Sequence, residues 1–260
     1  MRLALGISYN GQAYEGWQSQ SSGRTVQDRL ELALGQFTAR PVSTVCAGRT
    51  DSGVHGLMQV VHFDTPVDRE EFSWVRGTNR FLPGDIAVEW ARAVPDAFHS
   101  RACALSRRYA YLVLESAVRP SIDSGRVGWV FRPLQAGAMQ EAAALLLGEH
   151  DFTSFRASSC QARSPVKRMT RIDISRRGAY WRFEFEADAF LHHMIRNIMG
   201  CLLAIGQGQQ RAGWMGQVLA ARDRDAAAPT FAPDGLYFLG PVYGPQWRLP
   251  ARTPAYDWLP

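Results

Sequence analysis

The first residues of the chain alternate between large apolar side chains and smaller or polar ones. Leu3, Leu5, Ile7 and Tyr9 occupy every second position, which is the pattern of a β-strand with one buried face. The pair Asn10-Gly11 is a turn signal that ends this strand. Similar apolar runs predict further strands over residues 59–63, 86–90, 107–114 and 236–239.

Helical periodicity appears between these strands. Thr25 resembles a helix N-cap, and Asp28 three residues later completes the pattern of a capping box. Apolar residues from Val26 to Phe37 then recur at helical spacing, and Pro41 ends the helix. Asp68 is predicted to cap a second helix. That helix and three more are predicted over residues 69–79, 134–147, 191–205 and 211–222.

Residues 171–186 predict a β-hairpin, because two alternating runs flank a polar turn at 176–179. Strands and helices thus alternate in two successive rounds, each with a sheet and covering helices. We therefore predict an α+β protein of two similar subdomains that lie side by side, over residues 1–105 and 106–245, each with a mixed or antiparallel sheet. A proline-rich tail over 246–260 is expected to be extended.

The bulk composition is that of an ordinary globular protein with room for two domains. The chain has 260 residues, of which 46% are hydrophobic and 20% are charged. No apolar run reaches the roughly 18–20 residues that a bilayer-spanning helix needs. The N-terminus reads as a strand and lacks the apolar core and cleavage site of a signal peptide. We expect a cytoplasmic protein with no membrane partner.

Almost all positively charged residues of the chain are arginines. The net charge is +5, and Lys167 is the single lysine among 29 basic residues. Arginine offers a planar, permanently charged fork that suits phosphates and stacks on bases. This composition favours a polyanionic partner such as nucleic acid. A general bias of the source genome towards arginine codons would give the same composition, so charge alone leaves both readings open.

Neither the cysteines nor the glycines predict a metal or nucleotide site. Cys46, Cys103, Cys160 and Cys201 are widely spaced and form no C-x-x-C pair, which disfavours a zinc site or a disulfide framework. His192 and His193 are adjacent, and on a helix adjacent side chains point in different directions. The chain has no glycine-rich dinucleotide fingerprint and no phosphate-binding P-loop. Spacing alone leaves His150, His192 and His193 open as metal ligands. We predict no metal and no small-molecule cofactor.

One glycine-rich loop lies between two strand-like runs, over residues 46–56. It holds Arg49 and Asp51, which lie on the same face if the segment is extended. Gly48 and Gly53 allow the backbone to bend and a ligand to approach closely. Arg49 is placed to keep Asp51 ionised, because a nearby positive charge lowers the pKa of a carboxyl group. The same spacing also fits a purely structural ion pair, and spacing does not decide between the two.

The full loop run reads Ala47-Gly48-Arg49-Thr50-Asp51-Ser52-Gly53-Val54-His55-Gly56. Other distinctive segments accompany it, in the order Ser8-Tyr9-Asn10-Gly11, Asn79-Arg80-Phe81-Leu82-Pro83-Gly84-Asp85-Ile86, Phe98-His99-Ser100-Arg101, Arg107-Arg108-Tyr109-Ala110-Tyr111, Asp151-Phe152-Thr153-Ser154-Phe155 and Phe190-Leu191-His192-His193-Met194-Ile195-Arg196-Asn197-Ile198. In order and spacing these segments closely resemble the TruA family of tRNA pseudouridine synthases, over about residues 3–240. Ser52 and Gly56 depart from it, at positions where alanine is also common.

The resemblance implies a pseudouridine synthase fold, with two halves similar to RRM or ferredoxin-like domains and an active-site cleft between them. It assigns the catalytic carboxylate to Asp51, with Arg49 pairing with it. Tyr109 corresponds to the family's active-site tyrosine, which stacks on the target base and assists removal of the C5 proton. Without the resemblance, Tyr109 on an amphipathic strand would be read as a core residue.

The resemblance also implies contacts with RNA. Arg196 would be a second cation beside Asp51, while Trp17 and Arg24 would clamp the RNA. For the latter two, an ordinary surface loop with a packed tryptophan is the alternative. The implied substrate is the anticodon arm of tRNA, with uridines at positions 38 to 40 converted to pseudouridine without a cofactor, by a homodimer.

Two other classes of function compete with an RNA uridine isomerase. One is a catalytically silent RNA-binding protein on the same scaffold, against which the intact set of Asp51, Arg49, Tyr109 and Arg196 argues. The other is a nucleoside or base hydrolase with Asp51 as the nucleophile, which would release free uracil. His55 and His62 are read as structural or RNA-facing.

Overall fold

The computed structural model of the protein describes residues 1–250. The part of the predicted tail over 251–260 lies outside the described residues. The strands are β1 (Arg2–Tyr9), β2 (Val45–Cys46), β3 (His55–Asp64), β4 (Ile86–Val94), β5 (Ala104–Glu115), β6 (Gly128–Val130), β7 (Gly148–Asp151), β8 (Val166–Arg177), β9 (Tyr180–Ala187) and β10 (Leu236–Tyr243). The α-helices are α1 (Val26–Thr38), α2 (Glu71–Asn79), α3 (Ala136–Ala144), α4 (Met194–Gly206) and α5 (Trp214–Ala221).

The described residues fall into two compact units. Among the described residues, the first unit comprises Met1–Arg107 together with residues 237–250, and the second comprises Arg108–Leu236. This differs from the predicted subdomains at the C-terminal end, because β10 belongs to the first unit. The reason is its parallel pairing with β3, in which Tyr237 lies opposite His55. In the segment after β10, where we predicted an extended tail, the partly buried Trp247 and Leu249 pack against a core cluster of the first unit.

In the first unit the sheet has the order β4-β1-β3-β10, with β2 paired to β3. The prediction that β1 has one buried face is wrong, because both of its faces are buried. Leu3, Leu5 and Ile7 enter the core that includes side chains of α1 and α2. On the opposite face Ala4 is buried too, and Gly6 lies so close to Trp90 that an added Cβ would come within 2.1 Å of the indole nitrogen.

Helix α1 begins as its sequence predicts. The Thr25 hydroxyl accepts a hydrogen bond from the backbone of Asp28, and the Asp28 carboxylate accepts one from the backbone of Thr25. The predicted cap of α2 is wrong, because that helix begins at Glu71 and its N-cap is Glu70, not Asp68. Glu71 instead ties the start of α2 to β4 by accepting a hydrogen bond from the backbone of Ala93.

In the second unit the sheet has the order β5-β9-β8-β7, with β6 parallel to β5. The predicted hairpin is confirmed: β8 and β9 are antiparallel, and Gly178 in the turn between them has a positive φ of 61°. Helix α4 is almost completely buried. Helices α3 and α5 are each shorter than α4. The prediction of an α+β protein with a sheet and helices in each half is confirmed.

All four cysteines carry free thiols. Cys46 and Cys201 are buried, whereas Cys103 and Cys160 are partly exposed. Burial raises the pKa of the Cys201 thiol. Over residues 1–250, no helix combines the length and the apolar character that crossing a membrane requires.

Candidate functional site

The loop that carries Asp51 connects β2 to β3 and is anchored to the sheet by Gln59. This glutamine is fully buried, and its amide side chain accepts a hydrogen bond from the backbone N–H of Gly48 at 3.3 Å and donates one to the Gly48 carbonyl. The backbone N–H of Ala47 donates to Val60 at 2.8 Å. The start of the loop is therefore fixed from within β3. Sequence analysis missed Gln59, whose only signal is a polar residue within an apolar strand.

The other side of the loop is held by the segment that follows β1. Trp17 donates its backbone N–H to the Thr50 carbonyl at 3.0 Å, and Gly53 donates its N–H to the Tyr14 carbonyl at 3.3 Å. Gly16 has a φ of +89°, and an added Cβ there would lie 2.7 Å from the Thr50 carbonyl oxygen. Glycine at this position is thus required both for the backbone conformation and for the close approach. Asp51 consequently lies between two residues, Thr50 and Gly53, whose backbones are fixed.

His55 is a structural residue of this loop. It is buried, and its Nδ1 accepts a hydrogen bond from the backbone N–H of Gly11 at 3.1 Å. Its ring stacks on Tyr237, with 4.6 Å between the centroids. His62 is buried as well, and its Nδ1 accepts from the backbone N–H of Ser100 at 3.2 Å. Of the two readings given for these histidines, the structural one fits their burial.

Asp51 is half-buried and Arg49 is exposed. The Asp51 carbonyl accepts a hydrogen bond from Val54 at 3.2 Å, which closes the turn around the carboxylate-bearing residue. The side-chain pairing of Arg49 with Asp51 stays a prediction.

Two further arginines, Arg101 and Arg107, approach the start of the same loop. Arg107 donates to the Ala47 carbonyl at 3.3 Å and to the Arg101 carbonyl at 2.6 Å. The Arg101 guanidinium lies 3.7 Å from the Cys46 sulfur. Burial raises the pKa of the Cys46 thiol, and the positive charges of Arg101 and Arg49 act in the opposite direction. The start of the loop therefore lies in a positively charged environment.

Trp17 is packed in the interior of the first unit. Its side chain is only 1% exposed and packs on Tyr9, with 5.6 Å between the ring centroids. This burial fits the alternative of a packed tryptophan, and the backbone of Trp17 holds Thr50. The contact of Trp17 with RNA stays a prediction. Arg24, in contrast, is exposed, and it forms an ion pair with Glu15. Its prediction as an RNA-binding residue is compatible with that exposure and stays a prediction.

The remaining predicted site residues, Tyr109 and Arg196, lie in the second unit. Tyr109 on β5 is 8% exposed, and Phe190 meets its ring edge-on with 5.2 Å between the centroids. Arg196 lies in the first turn of α4, where its Nε donates to the Phe231 carbonyl at 2.9 Å. The side chain is thus held at its guanidinium rather than left to fluctuate in solvent.

His192 and His193 do not follow the prediction that they point apart on a helix. Both precede α4, and His193 is its N-cap residue with a left-handed φ of 61°. The left-handed residue turns the chain so that the two imidazole rings come together, with 4.0 Å between their centroids. The Ser159 hydroxyl lies 3.1 Å from His192 Nδ1, and the Cys160 sulfur accepts the backbone N–H of His192 at 3.4 Å.

Comparison with known proteins decides the family. The family described as tRNA pseudouridine synthase matches this chain over residues 7–101 and 142–244, which is well over half of it. The chain belongs to the tRNA pseudouridine synthase family. The resemblance found in the sequence motifs is therefore confirmed, and the α+β architecture is that of a pseudouridine synthase.

Relatives within the tRNA pseudouridine synthase family are similar over their whole length. The chain is 71% identical over 264 residues to the tRNA pseudouridine synthase A of Polaromonas naphthalenivorans, and 67% identical over 282 residues to that of Delftia acidovorans. Each alignment covers 100% of both chains. Among solved structures, a chain of a Cbf5-Nop10-Gar1 complex is 11% identical with a TM-score of 0.37, over 86% of this chain and 60% of that one.

Proposed function

We propose that this protein converts uridines at positions 38 to 40 of the tRNA anticodon arm to pseudouridine, with Asp51 as the catalytic carboxylate and without a cofactor. Its family membership makes it an isomerase of tRNA uridine. In the reaction the N1–C1′ bond breaks, the uracil rotates, and a C5–C1′ bond forms. The C5 proton is lost to solvent and N1 gains a proton, so no electrons are exchanged with a redox partner.

The observation that carries this proposal is the fixed backbone around Asp51. Thr50 and Gly53 on either side are hydrogen-bonded to a neighbouring segment, and Gly48 is hydrogen-bonded to the buried Gln59. A nucleophile or base held in this way loses little entropy when it meets its target. A nearby arginine charge, such as that of Arg49, would favour the ionised carboxylate. Three routes remain open to it: attack on C6 of the base, attack on C1′ of the ribose, or abstraction of the 2′ proton.

The other predicted residues complete the proposed site. Tyr109 would stack on the displaced base, and its hydroxyl would assist removal of the C5 proton. Arg49 would keep Asp51 ionised and then contact a phosphate, and Arg196 would supply a second positive charge. Because a stacked uridine is not accessible to Asp51, the enzyme must extrude it, at a cost of a few kcal/mol that contacts with phosphates offset.

We propose further that the protein acts in the cytoplasm as a homodimer, with one tRNA in contact with both subunits. The large number of arginines supports a polyanionic ligand. Sedimentation analysis of the protein with and without tRNA tests the oligomeric state. A monomeric protein that turns over at the full rate would contradict the dimer and leave the chemistry intact.

The test of the reaction uses unmodified tRNA with tritium at C5 of its uridines. We expect the protein alone to release tritium to water and to leave the mass of the tRNA otherwise unchanged. Asp51→Ala should abolish the release while tRNA affinity stays within about threefold, since the carboxylate serves chemistry rather than binding. Ser52→Ala is the matched control, because this neighbouring side chain donates only to the Tyr14 carbonyl.

Three outcomes contradict the proposal. Tritium release that persists in Asp51→Ala would remove this residue from the mechanism. Release of free uracil would indicate a hydrolase. Binding of tRNA without tritium release would indicate a silent RNA-binding protein. Separately, mapping of the modified position distinguishes positions 38 to 40 from other sites in tRNA.

A further inference from the structure

Arg196 is linked to a short segment formed by residues 230–232, which we call the strap. The backbone N–H of Phe231 donates to the Arg196 carbonyl at 3.1 Å, and Arg196 Nε donates in return to the Phe231 carbonyl at 2.9 Å. One residue of the strap therefore holds both the backbone and the side chain of Arg196. The direction of the guanidinium depends on where the strap places this carbonyl.

The strap is fixed at its first residue by a buried asparagine. Asn197 has no exposed surface, and its Oδ1 accepts a hydrogen bond from the Thr230 hydroxyl at 2.6 Å and one from Arg224 at 3.2 Å. Its Nδ2 donates to the Phe155 carbonyl at 2.8 Å. Arg224 also donates to the Thr230 hydroxyl oxygen at 3.0 Å. Both lone pairs of the Asn197 carbonyl oxygen are thus used, and the hydroxyl of Thr230 both donates and accepts.

The strap is fixed at its other end as well. The Tyr111 hydroxyl donates to the Ala232 carbonyl, and the rings of Tyr111 and Phe231 pack with 5.6 Å between their centroids. Gly128 lies below the Phe231 ring, where an added Cβ would come within 2.6 Å of it. The Phe231 carbonyl therefore has little freedom to move.

We propose that Asn197 and Thr230 are positioning residues that orient Arg196 for its substrate through the Phe231 carbonyl. With Nε committed to that carbonyl, the edge of the guanidinium that meets a carboxylate or a phosphate is the one that bears the two terminal nitrogens. The inference rests on the proposed function, in which Arg196 contacts the reacting nucleotide or its phosphate. It adds two residues whose side chains act on the reaction only through Arg196.

The test compares Thr230→Val with Thr230→Ser. Valine keeps the shape and removes the hydroxyl, and we expect kcat to fall about tenfold with KM for tRNA changed less than about threefold, since one orienting hydrogen bond is lost. Serine keeps the hydroxyl and should restore kcat. Thr170→Val is the matched control, because Thr170 in the same unit donates to the Glu186 carbonyl at 3.1 Å. In an Arg196→Ala background, Thr230→Val should have no further effect on kcat, because no guanidinium is left to orient.

A second measurement does not depend on activity. In the wild-type protein the Arg196 Nε–H should exchange slowly with solvent in ¹⁵N NMR spectra, with Arg196→Lys identifying the signal. Thr230→Val should accelerate that exchange at least about tenfold, since the strap loses its tie to Asn197. Unchanged exchange, or an equal loss of kcat in the Arg196→Ala background, would overturn the positioning role. If wild-type protein makes no pseudouridine, the proposed function fails, while the exchange rates still decide whether Thr230 orients Arg196.

Discussion

The phenol oxygen of Tyr9 and the hydroxyl oxygen of Thr50 lie 2.8 Å apart in the interior of the first unit. Tyr9 is the last residue of β1, and Thr50 directly precedes Asp51 in the loop. Burial raises the pKa of Tyr9 far above its ordinary value, so the phenol stays neutral at any physiological pH. The aromatic side chain at the end of β1 therefore fixes the position of Thr50, the residue next to Asp51.

Removal of this hydroxyl should lower catalysis more than binding. In Tyr9→Phe we expect kcat to fall about tenfold and the free energy of unfolding to drop by about 1 kcal/mol, because Thr50 loses a buried partner. Steady-state turnover and urea unfolding measure the two effects. Tyr243→Phe is the control, since that phenol donates to the Ser100 carbonyl and also lies in the first unit. Equal kcat values for Tyr9→Phe and wild type would show that the hydroxyl does not position the loop.

The close approach at Gly16 gives a second prediction. Gly16→Ala should reduce stability by about 1–3 kcal/mol and displace the Thr50 carbonyl, because the new methyl group meets that oxygen at 2.7 Å. Turnover should fall with it. Gly23→Ala separates the strain of a positive φ from the clash with the Thr50 carbonyl. Gly23 also has a positive φ, of 64°, yet an added Cβ there meets nothing within 4 Å. If both variants lose turnover equally, the contact with the Asp51 loop is not the reason.

Arg24 should contribute to tRNA affinity through its charge. Arg24→Ala should weaken binding several-fold at low salt and lower the salt slope of log Kd by roughly 0.7–0.9, as expected for the loss of one phosphate contact. Glu15→Gln, which removes the partner of Arg24, should strengthen binding. Arg92→Ala is the matched control, because Arg92 is an exposed arginine of the same unit that is paired with Glu71. A salt slope unchanged by Arg24→Ala would place this residue outside the RNA interface.

His62 should make the first unit less stable in acid. Burial, followed by the positive charges of His99 and Arg2, lowers the pKa of His62 from 6.5 to about 4. The imidazole of His62 therefore binds a proton more readily in the unfolded chain than in the folded one. Its contribution to the free energy of unfolding is complete above pH 6.5 and is lost as the pH falls towards 4. We expect protonation of His62 to lower the free energy of unfolding by roughly 1–3 kcal/mol over this pH range. In His62→Gln the free energy of unfolding, measured by urea titration, should depend less on pH in this window; an identical slope would contradict the assignment.

The elements of this protein were predictable where a local signal determines the structure. The capping box of Thr25 and Asp28 and the turn at Gly178 follow from short-range hydrogen bonds and backbone preference, and both occur as predicted. Asp68 fails as a cap because a tertiary contact, from Glu71 to β4, decides where α2 begins. The second buried face of β1 escaped prediction because small residues such as Ala4 and Gly6 do not read as core.

In the candidate site, only the residues that belong to a sequence motif were predictable. The motif identifies Asp51, but nothing in the sequence pattern indicates that Gln59 and Tyr9 support its loop, because these contacts join positions far apart in the chain. For Trp17, the sequence does not decide between a ligand contact and a packed tryptophan, and the burial of the side chain fits the packed tryptophan. The turn at His193 depends on a left-handed backbone that periodicity does not reveal.

Each unit carries one buried and one partly exposed thiol, Cys46 and Cys103 in the first and Cys201 and Cys160 in the second. A maleimide dye added to the folded wild-type protein should therefore attach at one native position per unit. The molecule thus comes with its own pair of attachment points for energy transfer. Measuring the efficiency of energy transfer between dyes at these two cysteines while tRNA is added would report any change in the distance between them. No residue of the natural chain needs to be replaced.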